Sequence, residues 1–333
     1  MSSKKKILIT DRFSHEAMLT LSQQPYLNVQ KTETPSLKEA DLKGVHGLII
    51  RSRTQIDESV FERAKSLQVI ITATSGFDHI DLDSAAKWGV TVMFTPEANV
   101  ESAAQLTWGL ALACACKIPQ AHRALKSGEW NREQAIGTEL YRKTYGIVGL
   151  GRIGKRVADI AQAFGMNVIA YDPYLDDGAF REAGAERVAY EEILKTSDIL
   201  SFHVPKTSET EKMLNRSHFE YIHRGLILIN TSRGSVVHEQ DLCEALEKGW
   251  IGSVGLDVFE KEPLNRNSKL LNYQNVVLTP HCGANTTEAF AKASEQAALK
   301  AIRFFMDAST SDTLPPKAAW YGAVPPWKTK SES

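Results

Sequence analysis

The run KTYGIVGLGRIGKRVADIAQAFGMNVIAYDP, from Lys143 to Pro173, constrains this chain more than any other. A strand-like apolar stretch leads into glycines at 149, 151 and 154. A helical pattern follows, and a second apolar stretch ends at Asp172. G-x-G-x-x-G alone is weak, because glycines cluster in many loops and a plain strand-turn-helix can carry them. Set between a strand and a helix, each position has a task. Gly149 allows the tight turn, Gly151 lets a pyrophosphate approach the backbone, and Gly154 lets helix and strand pack closely. The helix start, with Arg152 and Ile153, offers N–H groups and a positive dipole end to that anion. Asp172 stands 18 residues past Gly154, near the spacing expected of a ribose-binding acid. A carboxylate there accepts from ribose hydroxyls and repels a 2′-phosphate, and proline rather than arginine follows it. The cofactor expected is NAD, not NADP.

Short apolar runs alternate with helical patterns along the chain, as in a parallel α/β protein. The first series of strands is expected at 6–10, 47–51, 67–73 and 91–95, with the amphipathic segments SHEAMLTLSQQ and DESVFERAKS between them. One long helix is expected from Val100 to Ser127. The second series lies at 144–148, 167–172, 199–204, 226–232, 252–258 and 275–280, and a last helix covers 287–306. The tail beyond, with its Pro315-Pro316 and Pro325-Pro326 pairs, reads as irregular, and Trp320 and Trp327 suggest that it packs on something. The fold expected is α/β, with two Rossmann-like parallel-sheet domains. A substrate domain of 1–98 plus 286–333, flavodoxin-like and split, would receive an inserted NAD-binding domain of 99–285.

At 333 residues the chain can bury two cores. A formal net charge of -1 gives no reason to expect nucleic acid or an anionic membrane as partner. The apolar run after MSSKKK is too short for a signal peptide, and Leu106 to Pro119 falls short of the roughly 18 residues a spanning helix needs. Cys114, Cys116, Cys243 and Cys282 look like small hydrophobes. Spaced two apart on a helix, Cys114 and Cys116 face different ways, so no metal site is expected. A cytoplasmic location follows.

In open parallel sheets ligands bind outside the carboxyl ends of the strands. Three such ends carry chemistry: LILINTSRG brings Arg233, GSVGLDVFEKEP brings Asp257 and Glu262, and NVVLTPHCG brings His281. Arg233 can hold a substrate carboxylate with two parallel hydrogen bonds. His281 can take a hydroxyl proton as hydride leaves the same carbon, with a carboxylate to orient it and favour its protonated form. Singly, each residue reads as well as a surface charge or a structural histidine; with the glycine loop in the same sheet, the joint reading dominates. Cys282 invites a thiol-nucleophile reading, set aside because neighbours in an extended segment point oppositely.

The motifs GLGRIG…YDP, HVPKTSET, INTSRGSVV, GLDVFEKEP and TPHCGANTTEA resemble those of the D-isomer-specific 2-hydroxyacid dehydrogenases, over about residues 5 to 306. The resemblance implies Arg233 as carboxylate ligand, His281 as acid/base and Glu262 as its partner. It also implies cofactor contacts at His203, Thr231, Ser232 and Asp257, and a homodimer through the NAD domain, where the Val100–Ser127 helix would lie. IIRSRT, SAAQLTWG and KSGEWNREQAIGTEL resemble the phosphoglycerate branch of the family. Arg51 and Arg53, two apart after a strand, point the same way and could clamp a phosphate; two solvated arginines are the alternative. Arg132 joins them by resemblance only, and Ser75 and Gly76 are expected at the substrate. Thr72, where some phosphoglycerate enzymes carry arginine, and Gln105, where many relatives carry glutamate, depart from the pattern. No regulatory domain is expected after residue 306. The partner expected is a small 2-hydroxy or 2-oxo acid, phosphorylated or not. A glyoxylate or hydroxypyruvate reductase is the nearest alternative, and an NAD(H)-sensing binding protein is the alternative from another class.

Overall fold

The computed structural model describes residues 4–37, 42–318 and 321. Five strands come first: β1 (Lys5–Ile9), β2 (Leu27–Lys31), β3 (Val45–Ile50), β4 (Val69–Thr72) and β5 (Thr91–Phe94). Seven follow: β6 (Thr144–Val148), β7 (Asn167–Tyr171), β8 (Glu186–Arg187), β9 (Ile199–Phe202), β10 (Leu226–Asn230), β11 (Ile251–Leu256) and β12 (Val276–Leu278). The last is β13 (Thr313–Leu314). The described residues divide into two compact units, one within 4–99 and 285–321 and the other within 100–284.

In the first unit the described strands lie in the order β13-β5-β4-β3-β1-β2. Strands β1 to β5 are parallel, in the doubly wound order 2-1-3-4-5, and β13 runs antiparallel to β5. Side chains alternate across this sheet with period two. Ile7, Ile9, Ile49 and Ile71 share a core with Ala293, Ala297 and Ala301 of the Thr287–Asp307 helix. Leu8, Leu48, Ile70 and Val92 pack on the other face with Phe61. Covered on both sides, the central strands are apolar almost throughout. Thr286 caps the long helix by accepting the Ala289 N–H at 3.1 Å.

The second unit orders its described strands β12-β11-β10-β9-β6-β7-β8, all parallel. Counted from β6, this is the Rossmann order 3-2-1-4-5-6 with one further strand. The order reverses between β6 and β9, so the crevice at their carboxyl ends falls beside the glycine loop. The Val100–Ala115 helix covers one face. Its Trp108 donates from Nε1 to the Val157 carbonyl at 3.2 Å and stacks on Phe164 with ring centroids 4.7 Å apart.

Several features depart from the sequence reading, among them the two-residue strand β8. The long helix ends at Ala115 and a second one, Ile118–Lys126, begins after Lys117, which lies at φ 50°. Pro119 explains the break, since its ring would clash with the Ala115 carbonyl in a continuous helix; that carbonyl instead accepts from Thr138 N at 2.8 Å. Strand β2 was not expected, because LNVQK buries only Leu27 and lies at a sheet edge. The tail read as irregular contains β13. Lys300, almost buried, holds it by donating to the Ser311 carbonyl at 3.3 Å, Ser311 Oγ at 2.8 Å and Asp312 Oδ2 at 2.6 Å. Trp320, Trp327 and Pro325-Pro326 lie outside the described residues.

Candidate active site

The glycine loop follows β6 directly. Gly149 has φ 91°, and a Cβ there would come within 2.7 Å of the His203 carbonyl oxygen. At Gly154 a Cβ would lie 2.1 Å from the Gly149 carbonyl oxygen, so helix and turn meet only because that side chain is absent. Gly151 differs: a Cβ there meets no protein atom within 4 Å, which leaves the space above it open for a ligand. Gly151 caps the Arg152–Ala163 helix with no side-chain hydrogen bond and no acidic residue in the first turn, so no side chain of that turn competes with an anion. Arg152 is exposed and Ile153 half-buried.

Asp172 stands just past β7 and is anchored at both oxygens. Oδ2 accepts from Leu150 N and Oδ1 from Tyr174 N, each at 3.0 Å. The first bond ties the acid to the glycine loop itself, which is the arrangement a dinucleotide's ribose and pyrophosphate require of one site. These residues fit NAD. His203 Nε2 lies 2.8 Å from Ser201 Oγ, and burial pushes its pKa down to about 3. The ring is therefore neutral, and the His203 backbone serves as a wall of the glycine turn.

At the end of β10 a buried residue that the sequence reading passed over, Asn230, shapes the turn. Its Oδ1 accepts from Ser232 N (3.1 Å) and Ser232 Oγ (2.9 Å), and its Nδ2 donates to the Arg233 carbonyl at 2.9 Å. Thr231 Oγ1 lies 2.8 Å from Thr107 Oγ1. Arg233 Nη1 donates to the Ser232 carbonyl at 2.7 Å. At Gly234 a Cβ would sit 1.9 Å from Phe259 carbonyl atoms, so glycine is needed for the β10 loop to close on the segment that carries Glu262.

His281 Nδ1 and Glu262 Oε2 are 2.7 Å apart. Glu262 Oε1 accepts from Phe259 N at 3.1 Å, which fixes the carboxylate. The Glu262 hydrogen bond holds the His281 imidazolium above its ordinary range; partial burial and the Arg233 charge oppose it without prevailing. For Glu262, desolvation pushes upward, but the bond to His281, that residue's charge, the Phe259 N–H and Arg233 leave its pKa below the usual value. With Nδ1 turned to Glu262, the other ring nitrogen of His281, Nε2, faces away from that carboxylate.

Asp257 is wholly buried and its carboxylate is engaged by the protein. Oδ1 accepts from Thr279 Oγ1 (2.6 Å) and Cys282 N (2.8 Å), and Oδ2 accepts from Gly283 N (2.9 Å). The Asp257 carbonyl also accepts from His281 N at 2.8 Å. Asp257 thus positions the histidine loop. The loop is not extended, since His281 lies at φ 50°. The ground for setting Cys282 aside changes with it: burial and the Asp257 charge raise the thiol pKa, which disfavours a thiolate.

In the first unit, Arg51 follows β3 and its Nη1 is buried without a hydrogen-bond partner. Its guanidinium carbon lies over the Phe290 ring, 5.2 Å from the centroid, and Arg12 lies over the same ring at 5.1 Å. Arg53 differs from Arg51 in being engaged by Asp11 at both Nε (3.2 Å) and Nη2. Three arginines and one aspartate leave a surplus of positive charge, and desolvation lowers the Arg51 pKa, with Arg12 and Arg53 adding to the effect. Arg12 was missed, although ILITDR is itself a strand end. Ser75 Oγ has Thr95 O (3.3 Å), Pro96 O (3.2 Å) and Asn99 Oδ1 within reach of its single proton, so it is used within its own loop. The Gly76 carbonyl accepts from Thr74 Oγ1 at 2.7 Å. Arg132 stands in an exposed turn of the second unit, its carbonyl accepting from Ala135 N at 3.2 Å.

A Rossmann-ordered sheet with a dinucleotide loop, and an Arg, Glu and His gathered at its strand ends, defines a nicotinamide-dependent dehydrogenase architecture. Residues 108–283 match the model of the D-isomer specific 2-hydroxyacid dehydrogenase, NAD binding domain, and the chain belongs to this family. It is 37% identical over 299 residues to the D-3-phosphoglycerate dehydrogenase of Bacillus subtilis (strain 168), covering 90% of this chain and 57% of the relative. It is 41% identical over 285 residues to that of Methanocaldococcus jannaschii, covering 85% and 54%. The chain thus spans little more than half the length of these relatives. A glyoxylate reductase from Paecilomyes thermophila superposes with a TM-score of 0.86 at 26% identity, over 95% of this chain and 99% of that one. Among the described residues no helix is long and apolar enough to cross a membrane.

Proposed function

We propose that the protein is an NAD-dependent oxidoreductase of D-2-hydroxy acids, with 3-phosphoglycerate as the favoured substrate and serine biosynthesis as the setting. The hydrogen bond between His281 and Glu262 carries the first part. His281 Nε2 takes the C2 hydroxyl proton in oxidation and returns one in reduction, and Glu262 stabilises the imidazolium in between. Arg233 orients the substrate carboxylate with paired N–H groups. NAD, when bound, supplies the hydride acceptor. Gly149, Gly151, Arg152, Ile153, Gly154 and Asp172 hold it, with the backbone at His203 and the Thr231–Ser232 turn alongside.

The phosphate preference rests on Arg51. A guanidinium N–H buried without a partner costs free energy that an anion would recover, and Arg12 adds a second charge. The relatives named D-3-phosphoglycerate dehydrogenase point the same way. The solved glyoxylate reductase supports the second reading, a reductase of small unphosphorylated 2-oxo acids. A panel of 2-oxo and 2-hydroxy acids with and without a terminal phosphate, followed by NADH absorbance, separates them. A kcat/KM at least about a hundredfold higher for the phosphorylated acid is expected from two charge-assisted contacts; equal values overturn the phosphate reading and leave the reductase.

A homodimer through the NAD domain and a cytoplasmic location complete the proposal. In the second unit Ile118, Leu125, Trp130, Ile136 and Tyr141 are each exposed, on the Ile118–Lys126 helix and the segment after it, with Trp130 80% exposed. Apolar surface of that kind marks an interaction face. Sedimentation of wild-type protein and of a Trp130→Glu, Ile136→Glu variant tests it: the variant should sediment as a monomer.

A further inference from the structure

Asp172 is not the only carboxylate at its end of the sheet. Tyr174, whose N–H is bound to Asp172 Oδ1 at 3.0 Å, donates its hydroxyl to Glu209 Oε2. Glu209 belongs to the segment after β9. That segment begins against the glycine loop, where the His203 carbonyl and Val204 Cγ1 would lie 2.7 and 2.8 Å from a Cβ at Gly149. A compact polar turn then fixes it: Thr210 Oγ1 donates to Pro205 O (2.6 Å), Thr207 N donates to Thr210 Oγ1 (2.9 Å), and Glu209 N donates to Thr207 Oγ1 (3.3 Å). Tyr174 thus bridges two acids from different strand ends, and both reach its phenol electrostatically. Burial and the Glu209 contact raise the phenol's pKa, so it stays a donor and keeps the second carboxylate in place. Both Tyr174 and Glu209 are half-buried, which lessens screening of that charge by solvent. Lys155, on the first turns of the adjoining helix, is paired with Glu182 at 2.9 Å.

We propose that Glu209, held by Tyr174, is a second determinant of cofactor choice, whose charge stands beside the ribose carboxylate Asp172 and disfavours a dinucleotide bearing a 2′-phosphate. The inference rests on the NAD reading of Asp172. It adds that this aspartate shares the discrimination with a residue from another strand end, so removing Asp172 alone leaves part of the bias in place.

The test uses purified full-length protein, with NADH and NADPH binding followed by nicotinamide fluorescence, which needs no turnover. Glu209→Gln keeps an acceptor for the Tyr174 hydroxyl while removing the charge, and Glu209→Asp keeps the charge. The Gln variant should shift the ratio of NADPH to NADH affinity toward NADPH by about fivefold, the scale of one like-charge repulsion at a partly solvated site. The Asp variant should hold the ratio near wild type. The wild-type ratio should also move toward that of the Gln variant as ionic strength rises. A ratio unchanged in Glu209→Gln, or shifted equally in Glu209→Asp, overturns the role of the Glu209 charge while NADH binding by the wild type leaves the NAD reading standing. Failure of the wild type to bind NADH overturns both.

Discussion

His281 Nδ1 lies 2.7 Å from Glu262 Oε2, and each residue shifts the other toward its charged form. The sign has consequences for both rate and stability. A raised imidazole pKa keeps the proton donor for reduction populated at higher pH than a free histidine would, and delays the onset of oxidation on the alkaline side. Glu262→Gln removes the largest cause of the shift, so the alkaline limb of the reduction profile should move to lower pH. The measurement is log kcat/KM against pH; a limb that stays in place removes Glu262 from this role. The bond's contribution to stability follows the same groups. It is present below the ordinary imidazole pKa, is lost as pH rises through the raised one, and on the acid side is lost as pH falls through the depressed pKa of Glu262.

His281→Ala should lower turnover by about a hundred- to ten-thousandfold, the usual contribution of a positioned acid or base. NADH binding should stay near normal, because the glycine loop and Asp172 lie at other strand ends. Steady-state rates together with fluorescence titration test this. Retained turnover would remove His281 from the chemistry; loss of NADH binding would make its role structural.

Asp257 gives a stability prediction. Its carboxylate accepts from Thr279 Oγ1, Cys282 N and Gly283 N in a fully buried setting. Asp257→Asn places an amide donor against one of those donors, leaving a buried N–H unsatisfied. The expected cost is about 2–4 kcal/mol in urea unfolding. Turnover should fall as well, since the Asp257 carbonyl and carboxylate both hold the loop around His281.

Much of this site was legible because strand ends and glycine spacing are local properties of the sequence. Gly149, Gly154, Arg233, Glu262 and His281 each follow a run whose apolar period announces a parallel strand, and the rule for such sheets gathers their ends. What could not be read is contact between segments far apart in sequence. Arg53 looks like a twin of Arg51 until Asp11, 42 residues away, is seen to engage it. Asp257 sits in a binding motif, yet the loop 22 to 26 residues later uses both its oxygens. Strand β2 was missed because an edge strand with one buried residue carries almost no periodic signal.

Asp172→Ala should weaken NAD binding by roughly tenfold to a hundredfold, the worth of hydrogen bonds to a charged acceptor. It should also relax the preference over NADP. Titration with both cofactors tests it, and an unchanged preference removes Asp172 from the ribose.

The arginines of the first unit differ in what each can still bind. Arg51 keeps a buried N–H with no partner, Arg12 shares its aromatic platform, and Arg53 is committed to Asp11 with a side chain 59% exposed. If the acid bound here carries a phosphate, Arg51→Gln should lower kcat/KM for the phosphorylated substrate by about a hundredfold or more, and Arg12→Gln by about tenfold. Neither should change the value for the unphosphorylated acid by as much. Arg53→Gln removes the charged partner of Asp11, whose side chain is only 3% exposed, so its cost should fall on stability and its effect on that ratio should be the smallest of the three. A larger loss at Arg53 than at Arg51 would place Arg53 in the clamp. Parallel losses for phosphorylated and unphosphorylated acids would reassign the cluster to holding its own unit together around Phe290.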